Sequence, residues 1–205
     1  MYRYRVVLEY LGSNFHGWQK QPDKISVQQV VELALFKIFH YNIDTFVGGR
    51  TDAGVHALGQ VIHFDLKEYM KPERLVMALN FHLRRNNNYR NQVSVVYAEE
   101  VDLAFHARFS AKKRKYSYCI LNRFSPSSVN HNRCWWVTEN LCLRKMKEGA
   151  KSLEGTHDFT SFRTKGCQAK SPIKTIDKID IHKESEYIFI AFSARSFLYN
   201  QVRII

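Results

Sequence analysis

Residues 47–60 read VGGRTDAGVHALGQ, a glycine-rich loop between two apolar segments, IDTFV at 43–47 and QVIHFDL at 60–66. Glycine on both sides lets the chain turn sharply and lets a ligand approach the main chain closely. Inside the loop stands one short acid, Asp52, two residues after Arg50. Two readings of it are open at this level. Asp52 is either a turn aspartate whose carboxylate bonds its own backbone, or a carboxylate presented to a ligand. A guanidinium as near as Arg50 would keep that carboxylate ionised and acceptor-only. That state suits a nucleophile or an electrostatic anchor better than a general acid.

Working outward, MYRYRVVLEY alternates as a strand, with Tyr2, Tyr4, Val6, Leu8 and Tyr10 on one face and Arg3, Arg5 and Glu9 on the other. Ser26 and Gln29 form a capping-box signature that opens a helix carrying Val27, Val30, Val31, Ala34 and Ile38. A second helix begins near Pro72, with Leu75, Ala78, Leu79 and Leu83 on one side. A polar loop, RRNNNYRNQ at 84–92, and a strand, VSVVYAEEV at 93–101, follow. The segment 104–121, AFHARFSAKKRKYSYCIL, joins this half to a second one. There the pattern restarts with a strand from Lys115, a loop at 122–133 and a helix near 141–153. Two strands at 175–182 and 186–194 come next, and SFLYNQVRII at 196–205 reads as the start of a helix. The expected class is therefore α+β, in two halves at 1–108 and 109–205, each with antiparallel-type strands and two helices. The second half lacks a helix stop after Ile205 and reads as truncated at its carboxyl end.

The chain has 205 residues, 45% of them hydrophobic, enough for a substantial core. Its formal net charge is +12, spread along the chain, which favours a phosphate-rich partner. No apolar run approaches the ~20 residues of a membrane-spanning helix, and the amino terminus has no signal-like apolar core. Cys119, Cys134, Cys142 and Cys167 show neither a C-x-x-C pair nor zinc spacing. They are expected to be buried thiols in a reducing, cytoplasmic compartment. His56 and His63 invite a metal reading together with Asp52, but their spacing falls outside the common zinc patterns. In RFSAKKRKYSYCI, Arg108, Lys112, Lys113, Arg114 and Lys115 surround Tyr116 and Tyr118. Such rings can stack on unpaired bases while the cations hold phosphates. The same pattern also fits an amphipathic strand with core tyrosines and solvated charges.

Four stretches, GGRTDAGVHALGQ, FHARFSAKKRKYSY, GTHDFTSF and SFLYNQVR, stand in the order found in the TruA-type tRNA pseudouridine synthases. The resemblance runs through nearly the whole chain, from YRYRVVLEYLGSNFHGWQKQP onward. It implies two ferredoxin-like halves whose strands join into one extended, mainly antiparallel sheet flanked by helices, with the active site in a cleft between the halves. It implies an isomerase that converts uridine to pseudouridine at positions 38, 39 and 40 of the tRNA anticodon stem-loop. The enzyme would be a homodimer working without metal or organic cofactor. By motif match Asp52 is the catalytic aspartate, attacking either the base or assisting a ribose-derived intermediate. Tyr116 is the tyrosine that packs on the target base, and Arg203 the basic partner of the aspartate. Arg50 is associated with holding the everted nucleotide, and His106 and Arg108 are further candidates for substrate binding. The rival readings are a catalytically inactive tRNA-binding protein of the same fold and a metal-dependent nuclease built on Asp52, His56 and His63.

Overall fold

A computed structural model describes residues 1–85, 89–167 and 169–205. The middle of the polar loop expected at 84–92 thus lies outside the described residues. The chain forms two compact units, Met1–Ala111 and Lys112–Ile205.

In the first unit the order is β1 (Tyr2–Tyr10), α1 (Val27–Phe39), β2 (Phe46–Val47), β3 (Ala57–Leu66), α2 (Pro72–Arg84) and β4 (Val93–Val101). The strands lie side by side as β2-β3-β1-β4 and every pairing is antiparallel. A β-α-β-β-α-β chain with that strand order is the ferredoxin-like arrangement. The alternation read in β1 is what places it at the centre, because Tyr4, Val6, Leu8 and Tyr10 are all buried. They meet Val27, Val30, Val31, Ala34 and Leu35 of α1 and Leu75, Leu79 and Leu83 of α2 in one cluster. Helix α1 starts as its cap dictates, with Ser26 Oγ accepting from the Gln29 N–H at 3.2 Å. The reciprocal arm of the box is not made: Gln29 Oε1 is buried without a hydrogen-bond partner.

Of the apolar segment 43–47, only Phe46–Val47 is strand. Thr45 is the reason, since its N–H and hydroxyl both donate to Glu32 Oε1, at 3.1 and 3.0 Å. Its carbonyl accepts from Gln28 at 3.3 Å, so this stretch is tied to α1. Opposite Val7 and Leu8 the register of β4 slips by one residue, from Tyr97 to Val95. Asn80 of α2 serves the backbone there, accepting from Val95 N–H at 2.8 Å and donating to its carbonyl at 2.9 Å.

The second unit contains β5 (Arg114–Asn122), β6 (Trp135–Val137), α3 (Leu143–Lys151), β7 (Gly155–Asp158), β8 (Ile173–Glu184), β9 (Tyr187–Ala194) and α4 (Gln201–Ile204). Its sheet order is β6-β5-β9-β8-β7, antiparallel except for β6 beside β5. Ile120, Ile176, Ile179, Ile181, Ile188, Phe192 and Leu198 form its core, with Ala150 of α3 and Phe159. Strands β6 and β7 fall where the sequence pattern marks none. The segment 196–205 turns helical only from Gln201, because Asn200 is left-handed (φ 59°) and the Leu198 N–H is held by Gln201 Oε1 at 2.8 Å.

The class read from the sequence, α+β with mainly antiparallel strands flanked by helices, is the one observed, its hydrogen-bonded ladders forming one sheet in each unit. The expectation of buried thiols needs correction. Cys142 is exposed and the other three cysteines are only half-buried, and all four are free. Burial pushes the Cys119 thiol up to about 11. Among the described residues no helix is long and apolar enough to cross a membrane.

Candidate active site

Backbone bonds close the loop between β2 and β3. Gly48 N–H extends the ladder to Val61 O at 2.8 Å. A turn then closes from Asp52 O to Val55 N–H at 3.2 Å, with Gly54 at its third position and φ of 79°. A type II turn demands that sign of φ there, which glycine adopts at no steric cost. An aspartate capping its own turn would use the N–H two residues on. That N–H, on Gly54, donates to Phe15 O at 3.3 Å instead. The turn is thus made by the backbone of residue 52, and its half-buried carboxylate is not consumed in closing it.

The segment 12–18 straps the loop from the other side. Trp18 N–H donates to Thr51 O at 3.0 Å and Gly12 N–H donates to His56 Nδ1 at 3.0 Å. The approach is so close that a Cβ on Gly12 would lie 2.0 Å from Val55 O. One on Gly17 would lie 2.6 Å from Thr51 O. From below, the Tyr10 hydroxyl lies 2.7 Å from Thr51 Oγ1, and Gln60 Nε2 donates to Gly49 O at 2.7 Å and to the Tyr10 oxygen at 3.2 Å. Arg50 is exposed on this loop. Among the described residues of this unit, Arg3 pairs with Asp65, Arg5 with Glu99 and Lys20 with Glu32.

The turn at 105–110 packs against the same strands. His63 is buried, and its Nδ1 accepts from Ala107 N–H at 3.2 Å. Its ring stacks on Phe46 at 4.9 Å and meets His106 at 4.6 Å. Burial above all, then the nearby His106 and Arg3, brings the His63 pKa down from 6.5 to about 4, so the ring is neutral. His106 Nδ1 in turn accepts from Arg108 N–H at 3.2 Å, and its own N–H donates to Ser110 Oγ at 2.9 Å. His106 and Arg108 thus share one compact turn whose exposed edge carries Arg108 and Phe109. Both histidines of the metal reading spend Nδ1 on a backbone N–H. Among the described residues no three His, Cys, Asp or Glu side chains converge as a metal site.

In the second unit Tyr116 lies on β5 opposite Phe192, half-buried, with Phe197 edge-on to its ring at 5.2 Å. Tyr118, two residues on, packs edge-on with Trp135 at 6.4 Å. Both tyrosines face the core cluster. Arg203 is exposed on the four-residue α4, its N–H donating to Asn200 O at 3.0 Å. The second unit therefore brings Tyr116 and the segment leading to Arg203 together through Phe197, while the first holds Asp52, Arg50, His106 and Arg108. Sequence reasoning missed the groups that hold the loop, Tyr10, Thr51 and Gln60. Tyr10 scored only as a core residue by alternation, and no local signal marks a hydroxyl that reaches 41 positions along the chain.

The chain thus joins a ferredoxin-like unit, with an aspartate loop braced between β2 and β3, to a second α+β unit. The family model for tRNA pseudouridine synthases matches residues 6–110 and 150–205. The chain is 50% identical over 204 residues to a tRNA pseudouridine synthase A of Wolbachia pipientis wMel and 48% identical to one of Ehrlichia canis (strain Jake). Each alignment covers 99% of this chain and 81% of the relative. The chain belongs to the tRNA pseudouridine synthase family, isomerases that convert uridine to pseudouridine.

Proposed function

We propose that the chain isomerises uridines 38, 39 and 40 of the tRNA anticodon stem-loop, with the ionised carboxylate of Asp52 as the nucleophile. The observation that carries this reading is the loop itself. The Asp52 O–Val55 N–H turn bond and the Tyr10, Gln60 and Trp18 contacts to Thr51 and Gly49 shape it without using the Asp52 carboxylate, which supports its use by a ligand. The reaction needs a negative oxygen that attacks the base or steadies a ribose-derived cation while the glycosidic bond breaks. It then needs the uracil to be held as it turns and rejoins through carbon 5, and the carbon-5 proton to leave.

In this reading Tyr116 packs on the uracil face and its hydroxyl helps remove that proton. Arg203 pairs with the aspartate, keeping it ionised. Arg50 holds the everted nucleotide, and His106 and Arg108 take neighbouring backbone from their turn. Eversion costs a few kcal/mol, which contacts from a chain of charge +12 to the phosphates offset. The residues 1–108 form the half that carries the aspartate and 109–205 the half that carries the tyrosine. The working form is a cytoplasmic homodimer, checked by light scattering of the purified protein.

The test is tritium release from tRNA labelled at uridine carbon 5, with pseudouridine mapped in the anticodon arm. Asp52→Asn is expected to abolish release while tRNA affinity stays within about threefold, since the cations that hold the phosphates are untouched and only a carboxylate is lost. A wild-type chain that binds tRNA and releases nothing would make it an RNA-binding protein only. Release in the Asp52→Asn variant would remove the acid from the mechanism.

A further inference from the structure

We propose that the buried hydroxyl of Tyr10 is a positioning group for Asp52, aiming the carboxylate by fixing the residues before it. This rests on the reading of Asp52 as the reacting acid. Tyr10 is the last residue of β1, 3% exposed, with its ring against Trp18 at 6.3 Å. The ring alone supplies the packing. The hydroxyl is spent on the loop, since it lies 2.7 Å from Thr51 Oγ1, on the residue immediately before Asp52. It also accepts from Gln60 Nε2, whose other bond, at 2.7 Å, fixes Gly49 O three residues before Asp52. With Gln60 donating to the phenol oxygen, the phenol proton is available for Thr51 Oγ1. The backbone of the same residue is pinned from the far side by Trp18 N–H. Thr51 is thus gripped at side chain and carbonyl, and the carboxylate one residue on inherits its direction.

The same strand supplies a matched comparison. Tyr4 lies on the same face of β1, wholly buried, and its hydroxyl also makes two bonds, to Met70 O at 2.7 Å and from Met70 N–H at 2.9 Å. It braces the entry to α2, and its hydroxyl bonds and ring contact go to Met70 and Phe64. Tyr4→Phe therefore removes a phenol of equal burial whose loss is structural only.

The experiment compares Tyr10→Phe, Tyr4→Phe, Thr51→Val, the Tyr10→Phe/Thr51→Val double variant and Asp52→Asn in the full protein. It reads single-turnover tritium release, tRNA Kd and Tm. Tyr10→Phe is expected to slow the single-turnover step by about 10- to 100-fold, as a misaimed catalytic group does, with Kd unchanged. Tyr4→Phe is expected to lower Tm and keep the rate. The double variant is expected to lose no more than the worse single one, because both remove one interaction. The proposal is overturned if Tyr10→Phe turns over as fast as Tyr4→Phe, if its loss appears in Kd, or if the losses multiply in the double variant. If Asp52→Asn still releases tritium, the reading of Asp52 fails whatever Tyr10 does. If Asp52→Asn is dead and Tyr10→Phe keeps its rate, only the present inference fails.

Discussion

Gly17 and Gly54 share a positive φ, 83° and 79°, but differ in what surrounds them. An alanine at 54 meets open space and pays only for its backbone, on the order of 1 kcal/mol. At 17 the new Cβ would press on Thr51 O, so the strap or the loop must move. Gly17→Ala is expected to lower Tm well beyond Gly54→Ala and to slow uridine turnover with it, as differential scanning fluorimetry and tritium release would show. His63 supports a second expectation at this scale. Its folded pKa, about 4, lies below the 6.5 of a free histidine. The unfolded chain therefore binds a proton first as pH falls. Stability from the neutral ring is complete above about pH 6.5 and is lost as pH drops towards 4, by ~3 kcal/mol at most. Urea unfolding of wild type and His63→Gln at pH 7.5 and 4.5 checks it, the variant showing the flatter dependence. Asp65, held low chiefly by its hydrogen bond from Arg3, adds its own loss only at still lower pH.

Among the elements, the Asn80 amide of α2 ties both backbone groups of Val95 in β4, beside the apolar packing the two share. Asn80→Ala would leave the N–H and carbonyl of Val95 without partners at the slipped register. At about 1–3 kcal/mol for an unsatisfied buried group, a loss of at least ~2 kcal/mol in equilibrium unfolding is expected. The same contrast between local and remote partners decides what the sequence disclosed. Helix α1 was legible because Ser26 and its apolar stripe lie within four turns of each other, and β1 because its faces alternate without a break. The turn at 43–45 was not, because Thr45 is governed by Glu32, thirteen positions away. Three-residue β6 owes its existence to parallel pairing with Ile120–Asn122, which leaves no period to read. For the site, glycine spacing and motif order pointed to Asp52, Tyr116 and Arg203. The Tyr10–Thr51–Gln60 brace stayed hidden, because alternation reports which face a ring occupies and says nothing of its hydroxyl.

For the whole molecule the net charge of +12 favours contact with tRNA phosphates. If several phosphates are neutralised on binding, log Kd against log salt concentration should rise with a slope of several units. Filter binding between about 50 and 200 mM salt would show affinity falling by orders of magnitude. A flat line would mean that phosphate contact is minor. The aspartate turn has a wider bearing still. Because it closes through the carbonyl of residue 52 and the amide of residue 55, the turn's own hydrogen bond does not depend on the carboxylate at 52. If Asp52 is the reacting acid, as proposed above, natural selection could erase the chemistry by a single codon change and leave a well-folded RNA holder behind. Within such lineages, shape is a poor witness to activity, and the letter at that one position is the better one.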